Sequence, residues 1–90
     1  MFNSGDVVTL KLTSAEEVIG RFVEENTNAI TLKKPLSFMM GQQGVGLIPY
    51  AFSAPEDAEV AIGRSAVVSF FKTAKPVADQ YIKQSTGLIV

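Results

Sequence analysis

The sequence predicts a mostly β protein: a small, strongly bent, five-stranded antiparallel barrel with a short C-terminal helix, in a single domain over residues 1–90. Three observations favour this class. Apolar and polar residues alternate with period two in several short segments, polar turn residues separate those segments, and helical spacing is found only near the C-terminus. The barrel is expected over about residues 5–72 and the helix over about residues 76–86.

Composition narrows the function classes. The chain has 90 residues, a net charge of −1, and neither cysteine nor histidine. Disulfides, thiolate metal sites and the commonest general base are therefore excluded, and we predict no enzyme, no cofactor and no metal site. The sequence has no signal-peptide pattern and no apolar run long enough to span a bilayer, so we expect a cytoplasmic protein with no membrane partner.

The first two strands carry the clearest pattern. In residues 7–13, Val8, Leu10 and Leu12 fall on one face, and polar residues fall on the other. The second strand, Glu17–Glu24, contains Gly20. Because glycine inside a strand often marks a bulge or a sharp bend, we place the main bend of the barrel there.

The remaining strands are less regular. The third is predicted from Ala29 past Pro35 to Met40, with the proline at a bend or an edge, and the fourth over Val45–Phe52. Residues 59–62 and 66–71 form either two short strands or one fifth strand interrupted at 63–65. Strands 45–52 and 66–71 are apolar on both faces in places, so their edges need a partner.

A helix is predicted after these strands. Pro76 suits a first helical turn, and Gly87 suits a stop. Between them, apolar residues recur at helical spacing and should cap the sheet: Val77, Ala78, Tyr81 and Ile82. The tail Leu88–Val90 is also apolar and is expected to need cover.

Periodicity alone leaves SH3-like, OB and Sm-like barrels open. Several segments nevertheless follow the first Sm motif: Val8-Thr9-Leu10-Lys11-Leu12, Ile19-Gly20-Arg21-Phe22, the polar loop 24–28, and Ile30-Thr31-Leu32. Ile62-Gly63-Arg64-Ser65 before an apolar strand resembles the second motif, with the Arg-Gly order reversed. Over about residues 5–72 the chain thus resembles the Sm-like family, and in particular small phage-encoded members with a helix after the barrel.

This resemblance implies a homo-oligomeric ring of five to seven copies, closed by the edges of strands 45–52 and 66–71. It also implies that the ring binds single-stranded RNA, or single-stranded DNA, in the host cytoplasm if the chain is phage-encoded. The alternative function is a structural or protein-interaction ring subunit without nucleic-acid binding. The net charge of −1 favours that alternative, because nucleic-acid binders usually carry a basic face.

Five residues are the candidate nucleic-acid contacts. Arg64 could stack on a base or contact a phosphate, or it could be a surface arginine paired with a carboxylate. Asn26, Thr27 and Asn28 could bind a base edge, although asparagine is also favoured in ordinary turns. Ser65 follows Arg64 in the second motif. In the family both loops line the pore, so we expect residues 26–28 and 63–65 to meet there.

Weaker candidates are more simply explained by structure. The pair Lys33-Lys34 could follow a phosphate backbone, but a basic run of two residues is more often solvated surface. Tyr50 with Phe52 could stack bases, but alternate aromatics on a strand more often form core or interface. Paired acids flank turns at 16–17, 24–25 and 56–57, where charge is ordinary. Catalysis would require such carboxylates to share a cleft with shifted pKa values.

Overall fold

The computed structural model describes residues 2–41, 44–51, 53–55 and 57–85. Within these residues the chain forms six strands and one helix. The strands are β1 (Val7–Leu12), β2 (Glu17–Glu25), β3 (Ala29–Gly41), β4 (Gly44–Pro49), β5 (Glu59–Gly63) and β6 (Val67–Lys72), and the helix is α1 (Lys75–Ser85). The mostly β class and the C-terminal helix are confirmed, whereas the predicted count of five strands is wrong.

The strands form one curved antiparallel sheet that stays open. Its order is β4-β3-β2-β1-β6, and β5 pairs with β3 beside that path. The predicted closed barrel is therefore wrong: β4 bonds to β3, β6 bonds to β1, and no ladder joins β4 to β6 among the described residues. The period-two pattern reports how each strand is buried, and it carries no information on whether the two end strands meet.

The extra strand comes from the interrupted segment near residue 63. A single turn of 3-10 helix, Arg64–Ala66, separates β5 from β6. Ile62 of β5 lies opposite Ile30 of β3, whereas Phe70 of β6 lies opposite Leu10 of β1. Because the two pieces pair with different neighbours, they are two strands, the first of the two predicted alternatives.

Element ends differ slightly from prediction. The fourth strand ends at Pro49, and the predicted end at Phe52 lies outside the described residues. The helix begins one residue earlier than predicted, and its predicted end at residue 86 lies outside them as well. The same holds for the tail Leu88–Val90, for which cover was expected.

The core lies on the face of the sheet predicted from the first strand. Val8, Leu10 and Leu12 are all buried there, as expected. They pack with further apolar side chains from β2, β3 and β5: Val18, Phe22, Ile30, Leu32 and Ile62. Burial of these side chains is the main favourable term of folding.

The sheet bends where Gly20 of β2 faces the middle of β3. Ile19 pairs with Leu36 and Arg21 pairs with Lys33, so one residue of β2 opposes two of β3, Lys34 and Pro35. Lys34 has a φ of 51°, in the left-handed region that non-glycine residues rarely adopt. Beyond this point β3 exchanges its neighbour β5 for β4. The bend predicted at Gly20 and Pro35 is thus one joint between two strands.

Tyr81 is the buried side chain that holds helix α1 against this joint. Tyr81 is fully buried, and its hydroxyl lies 2.8 Å from the Lys34 carbonyl oxygen and 3.1 Å from that of Lys33. Burial raises the pKa of the Tyr81 phenol, so the hydroxyl stays protonated and can donate to these carbonyls. The helix therefore covers backbone groups that the bend removes from the ladder.

We expect Gly20→Val to destabilise the fold. A Cβ at residue 20 would lie 3.0 Å from the Leu32 Cβ and 3.2 Å from the Lys33 carbonyl oxygen, so the two strands would have to separate. Overpacking of this kind costs about 1–3 kcal/mol. The loss is measured by urea unfolding.

Gly46→Val is the matched control, because a Cβ at residue 46 meets nothing within 4 Å. It should change the free energy of unfolding by less than about 0.5 kcal/mol. Equal effects of the two substitutions would contradict the close approach at Gly20.

Candidate functional site

The turn between β2 and β3 is built by one asparagine. The Asn26 Oδ1 accepts the backbone N–H of Asn28 at 2.8 Å and that of Ala29 at 2.9 Å. This is an Asx turn, in which the side chain replaces a backbone acceptor. The Asn26 amide oxygen is thus used within its own turn, which agrees with the explanation that Asn26 is an ordinary turn residue.

Arg64 joins that turn to the turn between β5 and β6. Its backbone N–H donates to the Asn28 carbonyl at 2.9 Å, and its Nε donates to the Asn26 carbonyl at 2.8 Å. Its terminal nitrogen forms an ion pair with Glu25. The two predicted loops therefore do meet, within one chain.

The surroundings of the Arg64 guanidinium reduce its value as an anion site. Its side chain is 36% exposed and the Glu25 partner only 17%, so the carboxylate is the more buried of the two. The guanidinium also lies over the Phe70 ring, 5.8 Å from its centroid. A phosphate would have to displace Glu25, and the ion pair already offsets the positive charge that would attract it.

The other predicted contacts are more open. Thr27, Asn28 and Ser65 are exposed, and the described residues give none of their side chains a hydrogen-bond partner. Their turns lie next to each other because of Arg64. These three side chains are free to bind a ligand, although none carries a charge or an aromatic ring.

Basic side chains elsewhere are mostly engaged locally. Lys11 lies 3.4 Å from Glu17, Lys72 lies 3.6 Å from Asp6, and the Lys34 ammonium donates to the Ser85 carbonyl. Lys33 is exposed. The adjacent lysines thus have different surroundings and do not act as the pair that a phosphate backbone would meet.

Among the described residues, three of the four exposed large apolar side chains lie on β6, at one end of the sheet. Val68 is 66% exposed, Phe71 46% and Phe70 41%. Phe70 is partly supported by the ring of Phe2, edge to face at 5.8 Å. We call these three residues and the free backbone of the strand the β6 edge.

Alternate residues of the β6 edge direct their backbone N–H and C=O groups away from β1, and the ladder shows which residues these are. The Thr73 N–H donates to the Val7 carbonyl at 3.1 Å, and Val8 lies opposite Lys72. Since bonded pairs alternate along an antiparallel ladder, Phe71 bonds to β1 while Phe70 and Lys72 direct their N–H and C=O groups outward. Sequence reasoning identified this strand as an edge, but it could not give this phase.

The other end of the sheet is partly blocked. The Tyr50 N–H bonds to the Pro35 carbonyl, so residues 35 and 50 form a hydrogen-bonded pair. Because such pairs alternate along the ladder, the backbone groups of Leu47 and Pro49 on β4 point away from β3. Pro49 has no N–H to offer, and the Leu47 carbonyl accepts from the Gln84 side chain of α1 at 3.3 Å. Of β4 and β6, the β6 edge is therefore the more open; β5, which pairs only with β3 among the described strands, also has an unpaired edge, but β6 carries the exposed large apolar side chains.

Comparisons with known proteins support the fold at a coarse level. No family model matches the sequence, and no curated protein matches it. Among solved structures, a chain in a crystal structure of the NatC complex bound to CoA aligns over 84% of this chain and 84% of its own length, with 18% identity and a TM-score of 0.53. At that identity the likeness concerns the fold alone.

These findings contradict the predicted resemblance to the Sm-like family and to its phage-encoded members. No family model supports it, the solved neighbour is described as part of NatC, and the described sheet is open where the assignment required a closed barrel. The motif matches rested on apolar alternation and on a glycine within a strand. Other curved sheets share both features, so the matches do not identify one family. What remains of the prediction is the fold at a coarse level, an antiparallel sheet with a C-terminal helix.

The described residues contain no helix long and apolar enough to cross a bilayer. They also contain no group of three or more acidic, histidine or cysteine side chains placed to hold a metal ion.

We expect Arg64→Met to lower the free energy of unfolding by about 1–2 kcal/mol, because it leaves the Glu25 carboxylate unpaired and releases the Asn26 carbonyl. Lys72→Met is the control. Its ion pair with Asp6 is longer, at 3.6 Å, and the lysine is 63% exposed, so roughly 0.5 kcal/mol or less is expected. Urea unfolding measures both. A loss for Arg64→Met no larger than that for Lys72→Met would show that Arg64 does not hold the two turns together.

Proposed function

We propose that the chain is a non-catalytic protein-interaction subunit that assembles with further copies of itself by adding a strand at the β6 edge. One observation carries the proposal: β6 offers outward backbone groups and exposed apolar side chains on the same short strand. Such an edge is a template for another strand, and folded proteins usually block it when it has no partner.

Strand addition suits both features of the β6 edge. A partner strand would satisfy the outward N–H and C=O groups of Phe70 and Lys72. The same partner would remove Val68 and Phe71 from water, one of the main favourable terms in association. Few charges have to be desolvated, because Lys72 is the single ionisable residue of the strand.

The proposed occupant is β4 of a second copy, the opposite end of an identical sheet. Its outward Leu47 carbonyl is held only by an exposed side-chain bond of 3.3 Å from Gln84, which a backbone donor could replace. A contact between two different edges is heterologous, and it closes into a ring when the rotation between copies divides a full turn. The five to seven copies expected from sequence stay a prediction.

The solved neighbour is compatible with this role. It is one chain of a multi-protein complex, and it shows that a similar fold occurs inside an assembly. We carry over to this chain only the general idea of a small sheet that binds protein. The CoA bound in that complex is not part of the proposal.

Nucleic-acid binding is the less favoured function. Arg64, its sharpest candidate residue, is engaged by Glu25, and the chain has a net charge of −1. Thr27, Asn28 and Ser65 remain available beside it. Binding of single-stranded RNA would therefore require either a displaced Glu25 or an assembly that brings several copies of these turns together.

We expect the double substitution Val68→Lys with Phe71→Lys to dissociate the assembly while the fold is kept. Both positions are exposed, so the charges cost little within one chain, but they would be buried against the partner strand. Sedimentation velocity at micromolar concentration should show an oligomer for the wild type and one chain for the variant.

Ser14→Lys adds charge at an exposed turn and should sediment like the wild type. A wild type that sediments as one chain would refute the proposal. If the wild type also bound single-stranded RNA with an affinity that falls steeply with salt, the nucleic-acid function would become the better one.

A further inference from the structure

We propose that a cavity beside Lys34 binds a small amphiphilic carboxylate, one with a single apolar chain or ring. The cavity measures about 390 Å³. It lies between β3, β4, the segment that links β4 to β5, and the end of α1. None of its lining residues belongs to β6, although Leu47 and Pro49 belong to β4.

Most of the wall is apolar. Leu36, Leu47 and Val60 contribute side chains from three strands. The linking segment adds three alanines and one proline. Two of its backbone N–H groups bond within it: the Ala54 N–H donates to the Ala51 carbonyl at 3.2 Å, and the Ala58 N–H donates to the Pro55 carbonyl at 3.0 Å. A ligand's body would therefore meet few unsatisfied donors or acceptors on this side.

The polar groups come from Lys34 and the last turn of α1. The Lys34 ammonium donates to the Ser85 carbonyl at 3.1 Å, and the side chain is partly buried. An ammonium has three hydrogens to donate. No described carboxylate lies within ion-pair distance of Lys34, so a positive charge at the cavity wall lacks an anion among the described residues.

The position of that charge is fixed by the fold. The Lys34 backbone has a φ of 51°, its N–H donates to the Ala58 carbonyl at 3.2 Å, and its C=O accepts from Tyr81. Residues held in a rare conformation by their surroundings are concentrated at ligand-binding positions. Here the irregular backbone at Lys34 places its side chain at the cavity wall, a position that the regular alternation of side chains along β3 would not give it.

Size and charge together select the ligand class. Cavities of roughly 300–1,000 Å³, mostly apolar with a few placed polar groups, are typical of small-molecule sites. An apolar body fits the walls, and a carboxylate complements the ammonium as a charge-assisted hydrogen-bond acceptor. A neutral ligand would leave Lys34 without its anion, and a wholly polar ligand would be poorly matched to Leu36 and Leu47.

The test uses octanoate and its uncharged counterpart 1-octanol as probes, with isothermal titration and amide chemical shifts on the full chain. Octanoate should bind saturably, with shifts at Lys34, Leu47 and Ser85. Lys34→Met keeps the stem and removes the charge, so it should weaken octanoate binding by about tenfold or more while octanol binding changes little.

Two further variants complete the design. Lys33→Met is the matched control, because Lys33 is exposed and does not line the cavity, and it should bind octanoate like the wild type. Ala54→Leu fills the cavity from the linking segment and should abolish binding of both probes, with unfolding measured to show that the fold is intact. The proposal is overturned if octanoate does not saturate at millimolar concentration, if Lys34→Met binds it like the wild type, or if the shifts lie elsewhere.

Discussion

The close approach of β2 to β3 at Gly20 is the constraint on which the rest of the structure depends. With no side chain there, one residue of β2 can oppose Lys34 and Pro35 of β3, and the ladder between the two strands is bulged. β3 pairs with β5 before this point and with β4 after it. The bulge also exposes the carbonyls that receive Tyr81, which fixes the helix. A larger residue at position 20 would disturb all three arrangements together.

The bend also determines which surfaces remain open. β3 pairs with β5 on its first half and with β4 on its second. After β5 the chain crosses to β1, where β6 pairs and becomes an end of the sheet. The helix, fixed over the bend, reaches β4 through Gln84 and blocks part of the other end. Arg64 closes the turns at the crossing point. The exposed apolar strand β6 and the cavity beside Lys34 thus both depend on how the strands and the helix are arranged around Gly20.

Local pattern predicted what depends on neighbours in sequence. Alternation placed Val8 and Leu10 in the core, and Gly20 and Pro35 marked the bend, because each of these effects is decided within one strand. Pairing over long distances was beyond reach. The split into β5 and β6 depends on two remote partners, and Arg64 could not be matched to Glu25 from spacing alone. The family resemblance failed for the same reason, since it rested on the local pattern.

The central claim is that the free edge of β6 is where the protein associates. Amide hydrogen exchange of β6 at dilute and at concentrated protein tests it most directly, because the two sets of amides on this strand are distinguished by phase. The Phe70 and Lys72 N–H groups should exchange fast when dilute and become protected on association, while Phe71, bonded to β1, is protected throughout. Phe70 and Lys72 amides that stay equally fast at high concentration would contradict the account.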